Sequence, residues 1–75
     1  MIPLSRLPLS RAGKILSLSA GEPLKSRLMD LGFVPGSQVI PLFQAPLGDP
    51  RAYWVCETVI ALRQRDAAGI AVEEA

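Results

Sequence analysis

The run Arg27-Leu28-Met29-Asp30-Leu31-Gly32-Phe33-Val34-Pro35-Gly36-Ser37 constrains the fold of this chain more than any other stretch. Leu24, Leu28 and Leu31 stand at i, i+4 and i+7 and share one face of a helix, with Lys25, Ser26 and Asp30 off that stripe. Pro23 suits the first helical position, because its fixed φ is already helical and its missing N–H would have had no partner there. Gly32 suits the left-handed residue that ends a helix, where a Cβ is penalised, and Phe33 is placed to fold back onto Leu28. Pro35-Gly36 then matches the central pair of a type II turn, proline presetting φ and glycine supplying φ > 0. The expectation is a short helix, an abrupt stop, a turn and the start of a strand.

On either side the pattern is that of strands. Met1 to Leu9 reads as an extended arm that lays leucines on the edge of a core, and Ser10 to Gly13 as a turn. Lys14 to Ser19 alternates with a period near two, as a strand does. Gln38 to Gln44 is a second strand, with Val39 and Phe43 on one face and Ile40 and Leu42 near the other. Pro41 in its middle cannot donate to a ladder, so it calls for an edge, a bulge or an outward-pointing position. Ala45 to Pro50 is a stiff loop carrying Leu47 at its tip. In a third strand, Ala52 to Cys56, Tyr53 and Val55 face one way and Trp54 and Cys56 the other. Glu57-Thr58 reverses the chain, and Val59 to Arg63 completes a hairpin that is apolar on both sides. Gln64 to Ala68 is one helical turn, and Ile70 to Val72 a last strand before an acidic tail. Short strands, Gly/Pro turns and one brief helix predict a mainly β chain, a small closed or nearly closed barrel of about five strands. Closure removes sheet edges that so apolar a chain must not leave bare.

Composition narrows the function. Seventy-five residues make one domain, 1–75, too small to enclose a cleft of enzyme size. Eight Lys/Arg against seven Asp/Glu leave a net charge of +1, so neither nucleic acid nor an anionic membrane is an expected partner. No apolar run reaches the ~20 residues of a membrane helix, so no direct membrane insertion is expected. With no histidine and one cysteine, a disulfide within the chain and the usual zinc sets are excluded, and a cytoplasmic setting fits best. There is no Gly-x-Ser-x-Gly, no phosphate-binding glycine loop and no base beside Cys56, so we expect no catalytic residue and no cofactor. Cys56 reads as a small buried hydrophobe. Asp49, Asp66, Glu73 and Glu74 match no metal-ligand spacing and read as solvated surface. Arg51, Arg63 and Arg65 read as rim or salt-bridge partners. Half the residues are hydrophobic (49%), and a small domain cannot hide all of them, so some should meet a partner. The candidates are Leu47 on the loop, Trp54 on the hairpin, and whichever of Leu28 and Met29 the helix leaves outside. Trp54 reads equally well as a cap on the barrel mouth.

These blocks together resemble one family. Arg27 to Ser37, then Ala45-Pro46-Leu47-Gly48-Asp49-Pro50, then Ala61-Leu62-Arg63 followed by Asp66-Ala67 and Ile70-Ala71-Val72, are similar in kind and order to the FeoA family. The resemblance implies a small SH3-like barrel with a helix inserted after its first strand. It also implies a non-enzymatic cytoplasmic accessory of FeoB, the ferrous iron transporter with a GTPase domain, acting by protein contact with that cytoplasmic, GTPase-containing region. A homo-oligomer is the other association considered. The alternative is a divalent transition-metal-binding or metal-sensing module, as in the C-terminal domain of repressors of the diphtheria toxin repressor type. The sequence departs from the family in two places. Glu57 stands where a glycine is usual before the Leu-Arg strand, which predicts a wider or differently shaped turn, and Pro41 interrupts a strand that is usually β-branched.

Overall fold

The computed structural model describes residues 1–75. In chain order it contains β1 (Ile2–Pro3), a single 3-10 turn (Leu4–Arg6), β2 (Gly13–Leu18), α1 (Leu24–Asp30), β3 (Gln38–Gln44), β4 (Arg51–Val55), β5 (Thr58–Leu62), α2 (Gln64–Ala67) and β6 (Ile70–Glu74). The strands form one antiparallel sheet in the order β1-β6-β2-β3-β4-β5. The barrel therefore has six strands, the extra one being the two-residue β1 inside the expected extended arm, and it is not fully closed, because β1 and β5 do not pair and remain as edges. The expected acidic tail is also strand, because Glu73 and Glu74 pair with Lys14 and Gly13. Glu74 is further held by Arg11 at 2.6 Å.

Two bulges bend the sheet around its core. In β2 the register shifts between Ile15 and Ser17, leaving Leu16 unpaired, so Ile15 and Leu18 both point inward although three residues apart. In β3 the shift falls between Pro41 and Phe43. Pro41 thus sits beside a bulge, in a stretch of β3 that β2 no longer pairs, and its carbonyl takes the Ser10 N–H at 2.7 Å. The coiled result measures 29 × 24 × 23 Å, where a flat sheet would be only about 10 Å thick.

The helix and its stop form as the sequence predicts. The Gly32 φ is +110° and the Phe33 N–H bonds the Leu28 carbonyl at 3.0 Å, folding the helix end back. Gly36 has φ +94°, and the Ser37 N–H closes the turn onto the Val34 carbonyl at 3.0 Å. Pro23 stands one position before the helix rather than in it, where it offers no side-chain cap. Glu22 takes that part, its Oε1 accepting the Ser26 N–H at 3.0 Å and the Ser26 hydroxyl at 2.6 Å. Those two bonds hold the Glu22 carboxyl below its ordinary range.

The core draws on nearly every element, from Leu4 and Leu7 of the arm through Leu28 and Phe33 to Ile70 and Val72 of β6. Phe33 meets Tyr53 edge-on, with ring centroids 6.4 Å apart. Arg51 is not the rim residue its charge suggested. It is 4% exposed, and its guanidinium donates to the Ser5 and Leu7 carbonyls, each at 2.6 Å, while lying over the Tyr53 ring. This side chain ties the arm to β4, as the pairing of β1 ties it to β6.

Candidate functional site

Side-chain alternation along β4 sends Tyr53 and Val55 into the core and Trp54 to the outer face. Trp54 therefore lies on the flank of the barrel, where its cross-strand neighbours are Ile40 of β3 and Val59 of β5. The β3 bulge changes the composition of this face. Because Leu42 is the extra residue, Phe43 pairs with Ala52 and points outward with Ile40, not inward with Val39 as simple alternation predicts. It is 60% exposed, and Val59 is 51% exposed. The outer side of β3-β4-β5 is thus one apolar surface built on Ile40, Phe43, Trp54 and Val59.

The residues expected to meet a partner divide between this face and its surroundings. Leu47, 97% exposed, stands on the loop that leads into β4, at the same end as Phe43. Met29 is 38% exposed on α1, as its position about 100° around the helix from Leu28 implies. It belongs to the other end of β4, because Gly32, which bonds the Met29 carbonyl, abuts Cys56. The five residues of β4 lie between these two ends, spanning about 17 Å at ~3.3 Å per residue. Leu28 has no exposed edge; it is 1% exposed and packs in the core. The helix is only seven residues long and lies with this one leucine fully inward, leaving Leu24 and Leu31 partly covered. Phe43 and Val59 were not singled out in the sequence, although a hairpin apolar on both sides was the signal for Val59.

Cys56 is exposed rather than buried. The reversal comes one residue earlier than the sequence suggests, at Cys56-Glu57, with φ of +51° and +60°, and joins the paired residues Val55 and Thr58 directly. These are the φ signs of a type I′ connection, so the turn is tight in spite of lacking glycine. Asp49 binds the Gln64 N–H at the start of α2 at 2.9 Å. No three His, Cys, Asp or Glu side chains gather where they would hold a metal ion. A surface groove of about 410 Å³ lies between β1 and the start of β6, lined by residues such as Ile2, Ser17, Ser19 and Ile70, with no ionisable side chain. Burial pushes the Tyr53 phenol above its ordinary value, against the opposing effect of the Arg51 guanidinium. Its hydroxyl has no hydrogen-bond partner. No helix is long and apolar enough to cross a membrane.

Comparison with known proteins places this geometry. A family model described as the FeoA domain matches residues 2–74. A curated relative, the Fe(2+) transport protein A/Fe(2+) transporter FeoB fusion protein of Porphyromonas gingivalis, is 33% identical over 70 residues, covering 93% of this chain. The chain spans only 8% of that relative's length. Among solved structures, the FeoA protein of Chlorobium tepidum superposes with a TM-score of 0.92 at 34% identity, over 97% of this chain and 70% of that one. Iron(II) transport protein A of Clostridium thermocellum gives 0.93 at 37%, over 97% and 45%. The zinc complex of Stenotrophomonas maltophilia FeoA, described as a procaryotic SH3 domain protein, gives 0.85 at 32%, over 97% and 91%.

Proposed function

The chain belongs to the FeoA family, and from that membership we propose that it is a non-enzymatic accessory of ferrous iron uptake, working by protein contact with the cytoplasmic, GTPase-containing region of a FeoB-type transporter. One observation carries the reading: in the Porphyromonas gingivalis relative the matching segment belongs to a single polypeptide named as a fusion with the FeoB transporter. Fusion replaces binding by tethering, and is most useful where the two parts meet anyway. The surface available for contact is apolar and carries an aromatic anchor, Trp54, with the projecting Leu47 beyond one end of β4 and Met29 near the other. The groove has no ionisable side chain to activate the Ser17 or Ser19 hydroxyl, and so gives no support to a catalytic role.

The test is to make Met29→Asp and Leu47→Asp singly and measure both the melting temperature and capture by the transporter's cytoplasmic region. Loss of capture at a native melting temperature supports the contact. Full capture by both variants, or loss only where the fold is lost, refutes it. The metal-binding alternative draws on the zinc complex of the Stenotrophomonas maltophilia relative. Against it stands the scatter of this chain's own potential ligands. Calorimetric titration with ferrous or zinc ion separates the two readings.

A further inference from the structure

The two sheet edges are not alike. β1 is two residues long and ends in Pro3, whereas β5 presents five residues, Thr58 to Leu62, with no charge, proline or bulge among them and β4 as its only paired neighbour. Such an edge is a template for another strand. The hairpin fixes which backbone groups are free. Since the two-residue connection makes Val55 and Thr58 the first hydrogen-bonded pair, alternation directs the N–H and C=O of Val59 and Ala61 away from β4. No loop or turn bond uses those groups.

We infer that β5 pairs with β5 of a second copy of this chain, antiparallel and centred on Ile60. The self-complementarity of Glu57-Thr58-Val59-Ile60-Ala61-Leu62-Arg63 points to a copy rather than to another strand. In that register Val59 faces Ala61 of the second copy, and these are the residues whose backbone groups point outward, so each such pair exchanges two hydrogen bonds. The same register brings Glu57, in the turn just before β5, to the end of the strand where Arg63 of the second copy stands, and this occurs twice; both side chains are exposed and free of any ion pair within the chain. The backbone of Arg63 is extended and carries the strand direction past Leu62. Ile40, Trp54 and Val59 of one copy then continue into Ala61, Ala52 and Phe43 of the other, joining the two outer faces in a single apolar row across a two-fold axis.

The charges supply the test. Glu57→Arg and Arg63→Glu each replace both attractive pairs with repulsive ones, on exposed side chains whose change leaves the melting temperature of the dilute, monomeric protein unaltered. Sedimentation equilibrium of the unmodified chain is expected to show a monomer–dimer equilibrium, with each single variant weakened about tenfold or more. An equimolar mixture of the two single variants restores dimer, as does the Glu57→Arg/Arg63→Glu double variant, because in both cases every Glu again meets an Arg. Amide exchange of Val59 and Ala61 slows as protein concentration rises. A chain that stays monomeric at millimolar concentration overturns the inference. So do a dimer indifferent to these charges, and slowed exchange at Val59 and Ala61 that appears only on adding the transporter's cytoplasmic region, which would give the edge to a foreign strand.

Discussion

Gly32 and Gly36 both have positive φ but differ in surroundings, which lets one perturbation be separated into two costs. A Cβ built on Gly32 (φ +110°) stands 2.7 Å from the Cβ of Cys56, whereas one built on Gly36 (φ +94°) meets nothing within 4 Å. Holding an ordinary residue in the left-handed region costs about 1–2 kcal/mol, and Gly36→Ala is expected to lose that much. Gly32→Ala bears the same cost and must also push the helix end away from the β4-β5 turn, because both carbons are anchored to backbone. With about 1–3 kcal/mol for overpacking, the total is about 2–5 kcal/mol. A 75-residue domain has only about 4–11 kcal/mol in all at 0.05–0.15 kcal/mol per residue, so the variant approaches unfolding. Cys56→Gly removes the obstructing carbon and relaxes a non-glycine residue at φ +51°. In that background Gly32→Ala should cost only the conformational part, leaving a coupling of about 1–3 kcal/mol in the double-mutant cycle. Urea denaturation of the four proteins, with midpoints compared at constant slope, measures it. Equal penalties for Gly32→Ala in both backgrounds would falsify the steric argument, as would a Gly36→Ala loss as large as that of Gly32→Ala.

Three other outcomes are expected. Tyr53 is raised by burial, so its neutral form stabilises the fold below the ordinary phenol value near 10, and that contribution is lost as pH rises toward the higher folded value. Tyr53→Phe, which also removes an unpartnered hydroxyl, should flatten the alkaline fall in urea midpoint without lowering stability at neutral pH; an unchanged alkaline slope contradicts this. Arg51→Met strands the Ser5 and Leu7 carbonyls and should cost about 3–6 kcal/mol from the two lost charged hydrogen bonds, with faster proteolytic cleavage of the arm as the second readout. Glu22 is lowered by its bonds to Ser26, so its contribution is present above the ordinary carboxyl value and lost as pH falls through the lower folded one. Glu22→Gln should accordingly differ from the unmodified chain in thermal melts at neutral pH and converge with it in strong acid.

What could be read from the sequence was governed by local rules. The left-handed Gly32 and Gly36 follow from sterics within a few residues, and the boundaries of α1 and β3 from periodicity. Met29 and Leu47 were legible as exposed, one from helical angle and the other from its place on a stiff loop. What escaped depends on distant parts of the chain. The outward turn of Phe43 is set by register against β4, and no alternation inside β3 reveals it. Arg51 is buried because carbonyls more than forty positions earlier accept its protons. The Cys56-Glu57 turn lacks the glycine that marks such a connection, and Cys56 is exposed for that reason. Leu28 failed as a surface candidate because a short helix turns its best-centred leucine wholly inward.

The place of β6 has a consequence for how the protein comes into being. β6, the last of the six strands to be synthesised, lies between β1 and β2, so those two have no direct neighbour in each other and their full pairing waits for it. Domains generally fold as units, and here Ile2, Pro3, Ser17 and Leu18 acquire a ladder only when Ile70 to Val72 arrive, whereas Gly13 and Lys14 already pair with β3. A nascent chain halted at Gly69 leaves its arm and the second half of β2 unpaired, with Leu4, Leu7 and Ile15 lacking the cover of Ile70 and Val72. A product of that kind exposes core residues, the condition on which chaperones and proteases act.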